Sequence, residues 1–203
     1  MNKIIKNAMI LTAITLISGC LLGLVYEITK EPIAQAQENA KQAAYKTVLA
    51  EADSFEDVEV DEEAAFEPLV AAGYDADSIM EVAVAKDANG KEIGYVITVA
   101  SHEGYGGDIE ISVGILNDGT VKGIEMLSIG ETAGLGMKAK EPEFKNQFQD
   151  KQVDVFFYTK SGEEGEDKID ALSGATITTN AVTNGENSAL VYFREVLGGG
   201  SGE

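Results

Sequence analysis

The chain has 203 residues, 44% apolar and 25% charged, a composition that supports folded cores and excludes disorder throughout. Its 35 acidic against 15 basic residues give a net charge of −20, which repels phosphate backbones and anionic lipid heads and so argues against nucleic-acid binding and polybasic membrane docking. One Cys and one His exclude a disulfide or a structural zinc site built within this chain, and leave any Ser/His or Cys/His hydrolysis to His102 alone.

Residues 7–26 form a run of twenty without a formal charge, rich in Leu, Ile, Ala and Val. As a helix it reaches about 30 Å, the thickness of a bilayer's hydrocarbon core. Lys3 and Lys6 precede it, whereas Glu27, Lys30 and Glu31 follow it with net negative charge. The positive-inside rule therefore leaves the N-terminus in the cytoplasm and the remaining chain outside. All but three of the basic and two of the acidic residues lie past Glu31, so the outer part carries −21. Ile17, Ser18, Gly19 and Cys20 also resemble a lipoprotein cleavage box that would leave Cys20 lipidated. Leu21, Leu22, Leu24 and Val25 continue the apolar run past the cysteine, which favours an uncleaved spanning segment over 1–31. Both readings place the rest of the chain outside the cytoplasmic membrane.

Residues 32–78 are expected to form a helical stalk and an acidic connection. The stretch 32–52 is rich in Ala, Gln, Lys and Glu, with Pro32 at a first-turn position, and extends the membrane helix. The stretch 53–67 is dominated by acids and small residues and is read as a solvated connection or an edge. A calcium site among Asp57, Asp61, Glu62 and Glu63 is conceivable, but EF-hand spacing is absent.

From Ile79 the pattern changes to that of strands, and 79–197 is assigned to one α+β domain. IMEVAVAK and KEIGYVITVAS flank a turn at Asn89-Gly90, and DIEISVGIL and VKGIEMLSI flank another at Asp118-Gly119, so two antiparallel hairpins are predicted. After Gly136, a charged segment with Phe144 and Phe148 fits a short amphipathic helix. VDVFFYT reads as a strand and 180–197 as a closing helix; 198–203, GGGSGE, reads as a flexible tail.

Standard catalytic and nucleotide signatures are absent: no CxxC, HExxH, P-loop or GxGxxG occurs. Two glycine-rich patches remain, GYGGD at 104–108 and ETAGLG at 131–136. Glycines so spaced let a backbone approach a flat or phosphorylated ligand, and they equally serve as loop corners. The third feature is DALSGATIT at 170–178, ahead of the last helix. A helix start favours an anion, so a phosphate could sit at Thr176; alternatively SGAT is a capping turn, with Thr178 or Thr179 closing the helix end.

DALSGATIT resembles the flavinylation motif, an Asp followed two residues later by (S/T)GAT, of the covalent-FMN subunits of bacterial membrane electron-transport complexes. The resemblance extends to one N-terminal membrane helix, to GYGGDIEISVGILNDGTVKGIEMLSIGETAGLG and to the terminal helix, in the same order. The chain looks most like the G subunit of the Rnf complex, with the C subunit of the sodium-pumping NADH:quinone oxidoreductase as a more distant likeness. Ala133 stands where that family commonly has Pro in ETPGLG. The resemblance implies FMN esterified through its phosphate to Thr176, with Ser173 in the same motif; the small Gly174 and Ala175 leave the turn open for it. It also implies Asp170 as the motif's leading acid, used in recognition or activation by a separate flavin transferase. Glu131, Thr132, Gly134 and Leu135 would form one wall beside the flavin, with Tyr105 as a neighbour and Leu172 packed on the ring.

The implied protein is a single-pass membrane subunit whose extracytoplasmic FMN-binding domain relays electrons within an Rnf-type ion-translocating ferredoxin:NAD+ oxidoreductase. Its expected partners are the other subunits of the complex, the transferase during maturation, and the bilayer. The related sodium-pump subunit or a stand-alone extracellular flavoprotein would share this chemistry. A non-catalytic exported binding or adhesion module, with SGAT only a helix cap, would not. His102 beside Glu103 is read as a surface-loop histidine, since electron transfer through a flavin needs no such acid/base pair.

Overall fold

A computed structural model describes residues 2–199 and divides the chain into two compact units, Met1–Lys41 and Gln42–Glu203. The last four residues of the GGGSGE tail lie outside the described residues. One helix, α1 (Lys3–Val48), begins in the first unit and ends in the second. It is long and apolar enough to cross a membrane, and its large apolar side chains, among them Leu11, Leu16, Leu22 and Ile28, are exposed. Pro32 lies in the interior of α1, not at a first turn. Pro32 has no N–H to donate to the turn before it.

In the second unit the predicted hairpins form and extend into an antiparallel meander ordered β1-β2-β3-β4-β5. These strands are β1 (Ser54–Val58), β2 (Asp77–Lys86), β3 (Glu92–Ser101), β4 (Ile109–Leu116) and β5 (Val121–Ile129). The acidic stretch supplies the edge strand β1, and beyond it a helix that the sequence reading did not identify, α2 (Glu62–Ala72). Asp61, considered above for calcium, caps α2: its Oδ1 accepts from the N–H groups of Glu63 and Ala64 at 3.1 Å each. Asp61→Ala is expected to cost about 1 kcal/mol, the usual magnitude for a lost N-cap, seen as a lower urea midpoint with unchanged slope.

Alternation along the strands gives the sheet two apolar faces. Val82, Ile97 and Val113, paired across β2, β3 and β4, join a cluster with Ala181, Val182, Leu190 and Phe193 of α4 (Thr176–Glu195). Ala83 and Val96 on the opposite face pack with Tyr45, Val48 and Leu49 at the end of α1. Gly114 admits that helix end: a Cβ there would lie 2.4 Å from the Val48 carbonyl oxygen.

The segment after Gly136 is a chain of short turns, not one amphipathic helix: a 3-10 turn (Gly136–Lys140), α3 (Pro142–Lys145) and a second 3-10 turn (Asn146–Phe148). Phe144 and Phe148 are both buried, and Phe148 packs edge-on to Phe144 and Phe156 with ring centroids 5.7 and 5.2 Å apart. Of VDVFFYT only β6 (Phe157–Thr159) is a strand, paired in parallel with β7 (Lys168–Asp170). The closing helix starts four residues earlier than expected, at Thr176.

α4 also carries a carboxyl into the core. Glu186 is fully buried, neither oxygen has a hydrogen-bond partner among the described residues, and burial pushes its carboxyl well above the ordinary value of 4.5. Burial likewise raises Asp77, with the hydroxyl of Ser188, donating at 2.7 Å, partly offsetting it. A carboxyl raised in the folded state holds its proton more tightly than in the unfolded chain. Its contribution to stability is therefore fully present below the unfolded value and lost as pH rises toward the folded one. Glu186→Gln removes that loss. The variant is expected to melt higher than wild type at pH 8, by a margin that shrinks toward pH 4.5; melting curves across that range check it, and a variant no more stable at pH 8 would contradict neutral burial.

Candidate functional site

Three glycine-containing loops, the last of them opening α4, converge on one cavity. The first loop joins β3 to β4, the second leaves β5, and the third leads from β7 into α4. They enclose about 580 Å³, inside the roughly 300–1,000 Å³ range of small-molecule sites. Seven residues named from the sequence line it: Tyr105, Glu131, Thr132, Leu135, Gly174, Ala175 and Thr176.

The loops fit closely because side chains are missing where backbones meet. A Cβ on Gly106 would lie 2.3 Å from the Gly130 carbonyl oxygen, so the first two loops touch backbone to backbone. Glu131, 8% exposed, ties them further: its Oε1 accepts from the Gly106 N–H at 3.1 Å. At Gly136 a Cβ would sit 2.5 Å from Thr178 Oγ1 and 2.7 Å from Glu131 Oε2. Glycine there lets the second loop close onto α4. Gly174, in the left-handed region at φ 76°, turns the third loop toward Leu135, whose side chain would lie 3.3 Å from a Cβ at that position.

Thr176 is the first residue of α4 and is half-buried. Ala175 precedes it with no side-chain cap. The first helical bond runs from the Thr179 N–H to the Ala175 carbonyl at 3.0 Å. The N–H groups of Thr176, Ile177 and Thr178 thus have no acceptor among the described residues. This corrects the capping alternative: neither Thr178 nor Thr179 closes the helix end, because Thr179 is drawn into the preceding loop. An uncapped helix start beside apolar walls of Tyr105, Leu135 and Ile177 fits a flat aromatic group carrying a phosphate.

The other named residues stand around the cavity and do not line it. Asp170 ends β7, exposed, and Ser173 is exposed in the third loop. Gly134 lies at the tip of the second loop. Leu172, expected against the ring, is partly buried against the main core. His102 is exposed, with Nδ1 2.9 Å from Asp108 Oδ1 and Nε2 3.3 Å from Ser78 Oγ. Glu103 instead accepts from the side-chain amides of Asn184 and Asn180, at 2.6 and 3.4 Å, so the two do not form an acid/base pair.

Residues 104–191 match the FMN-binding domain family, and residues 1–48 match the RnfG N-terminal region. The G subunit of the proton-translocating ferredoxin:NAD+ oxidoreductase complex of Clostridium ljungdahlii is 32% identical over 198 residues, 98% of this chain and 96% of that one. The chain belongs to this RnfG family. The G subunit of the Na+-translocating ferredoxin:NAD+ oxidoreductase complex of Acetobacterium woodii is 29% identical over 196 residues, 95% of this chain and 93% of that one. The fold is shared with the C subunit of the Na+-translocating NADH-quinone reductase of Parabacteroides distasonis, at a TM-score of 0.52 and 21% identity over 79% of this chain and 94% of that one.

Three lining residues of this RnfG-family chain were not legible as such from its sequence: Gly136, Ile177 and Thr178. Gly136 carried a signal as the last glycine of ETAGLG. Ile177 and Thr178 lie in the first turn of α4, which begins at Thr176 and not at residue 180.

Proposed function

We propose that this chain is an electron-relay subunit of an Rnf-type ion-translocating ferredoxin:NAD+ oxidoreductase, carrying FMN through a phosphoester on Thr176. The observation that carries this reading is the position of Thr176: a hydroxyl at the first residue of an uncapped helix, on the wall of a cavity large enough for a flavin. Bound FMN supplies the redox centre that takes up and releases electrons.

The chain's own residues bind and orient it. The N–H groups of Thr176, Ile177 and Thr178 would hold the phosphate, whose charge the helix dipole would favour. Leu135, Ile177 and Tyr105 would offer apolar surface to the ring, and Glu131 and Thr132 would supply polar atoms. Ser173, Gly174 and Ala175 keep the approach to Thr176 free of bulk, and Asp170 stands exposed for the transferase. The covalent tether matters on the outer side of a membrane, where a dissociated cofactor would be lost.

Membership in the RnfG family supports placement in a complex of several subunits, with the others as donor and acceptor. The apolar stretch of α1, with Lys3 and Lys6 before it, supports a single pass with a cytoplasmic N-terminus and an extracytoplasmic flavin domain. Co-expression with a flavin transferase tests the reading: the band on a denaturing gel is expected to fluoresce under ultraviolet light. A dark band of unchanged intact mass would overturn it.

A further inference from the structure

The loop that presents Thr176 is held at two points by side chains outside the motif. Thr179 Oγ1, fully buried, accepts from the Leu172 N–H at 3.0 Å and donates to the Ala175 carbonyl at 3.0 Å. The Ala175 N–H in turn donates to the Leu172 carbonyl at 3.0 Å. One hydroxyl thus closes a ring of hydrogen bonds across Leu172–Ala175, which fixes how far Gly174 swings and where α4 begins. Only a group that both donates and accepts through one atom can do this, so serine can replace it and valine, of the same shape, cannot.

The second point is Asp170. Gln147, in the second 3-10 turn, accepts from the Asp170 N–H through Oε1 at 2.6 Å and donates to the Asp170 carbonyl through Nε2 at 3.4 Å. Its amide meets both backbone groups of Asp170 as a neighbouring strand would, while Thr159 pairs with Asp170 across β6 and β7. Neither Gln147 nor Thr179 lines the cavity.

We infer that Thr179 and Gln147 are positioning residues for flavin attachment, acting through the loop they hold; this rests on the proposal that Thr176 carries the flavin. Esterification of a hydroxyl needs an activated phosphoryl donor, here a flavin dinucleotide. Thr176 Oγ attacks the flavin-side phosphorus, the P–O bond of the phosphoanhydride breaks, the nucleoside monophosphate leaves, and the threonine proton passes to a base of the transferase. No electrons are exchanged. A pre-shaped loop raises the rate of this step because the nucleophile arrives already oriented; a displacement of about 1 Å can cost on the order of 100-fold.

The test follows labelling of the full chain by a flavin transferase with flavin adenine dinucleotide, for wild type, Thr179→Val, Thr179→Ser and Gln147→Ala. Thr179→Val is expected to label at least about 10-fold more slowly, in kcat and not in KM for the dinucleotide, since Thr179 does not touch the donor. Thr179→Ser should return to within about two-fold of wild type and Gln147→Ala should slow about five-fold, both melting well above the assay temperature. If wild type itself takes no label, the reading of Thr176 fails. If wild type labels and Gln147→Ala and a folded Thr179→Val keep its rate, or if serine fails to rescue, the positioning inference is overturned. Should Thr179→Val not fold, Gln147→Ala at the surface decides the question alone.

Discussion

Thr176→Ala is expected to eliminate covalent flavin completely while leaving the domain folded. Thr176 is half-buried and its side chain makes no hydrogen bond with another described residue, so the core loses nothing in the exchange. Alanine also keeps the helix start, being the best helix former, and Ala175 before it is unchanged. What disappears is the hydroxyl proposed to carry the ester. A neighbouring hydroxyl does not substitute: Thr178 is buried with 1% exposure, and Thr179 is committed to Leu172 and Ala175. The expected gel shows a dark band for Thr176→Ala beside a fluorescent wild type, with circular dichroism and melting temperature alike. Persistent label in the variant would move the attachment to another residue.

The largest expected loss of stability comes from a residue remote from the cavity. Phe148→Ala should destabilise the domain by about 3–5 kcal/mol, the range for emptying a fully buried aromatic site. Phe148 is the middle ring of three, edge-on to Phe144 and Phe156, so its removal strips partners from both. The short turns from Gly136 to Phe148 close on their own backbone bonds, and the buried rings of Phe144 and Phe148 are what seat them on the core. Gln147 is the neighbour of Phe148, and loosening that turn should also slow flavin attachment in whatever fraction remains folded. Urea unfolding measures the first effect and the labelling rate the second; a stability change under about 1 kcal/mol would mean that the turns hold without the ring.

What the sequence made legible follows from how local each signal is. The two hairpins could be read because Asn89-Gly90 and Asp118-Gly119 set tight turns between alternating strands, and the register follows from the turns. α2 could not, because it buries only Ala65 and Leu69, contains Pro68 and opens on acids that read as a solvated connection. β6 and β7 are three residues each and pair in parallel across an intervening loop, so neither carries a periodic signal.

The site divides in the same way. Thr176, Gly174, Glu131 and Leu135 stood in short motifs and the structure brings them to one cavity. The straps were hidden. Thr179 reads locally as one more hydroxyl, and its role depends on the loop curling back from Leu172. Gln147 lies 23 residues from Asp170 in an ordinary polar stretch. Such contacts belong to the folded loop and have no pattern along the chain.

Peptide mass spectrometry of the purified chain reads directly the proposed bond between the Thr176 hydroxyl and the flavin phosphate. Trypsin cuts after Lys168 and Arg194 and at no site between, so residues 169–194 leave as one fragment containing Thr176. After co-expression with a flavin transferase, that fragment is expected to carry the mass of FMN less one water, and fragmentation should localise it to Thr176. An unmodified 169–194 fragment, or the flavin mass on any other peptide, would contradict attachment at Thr176.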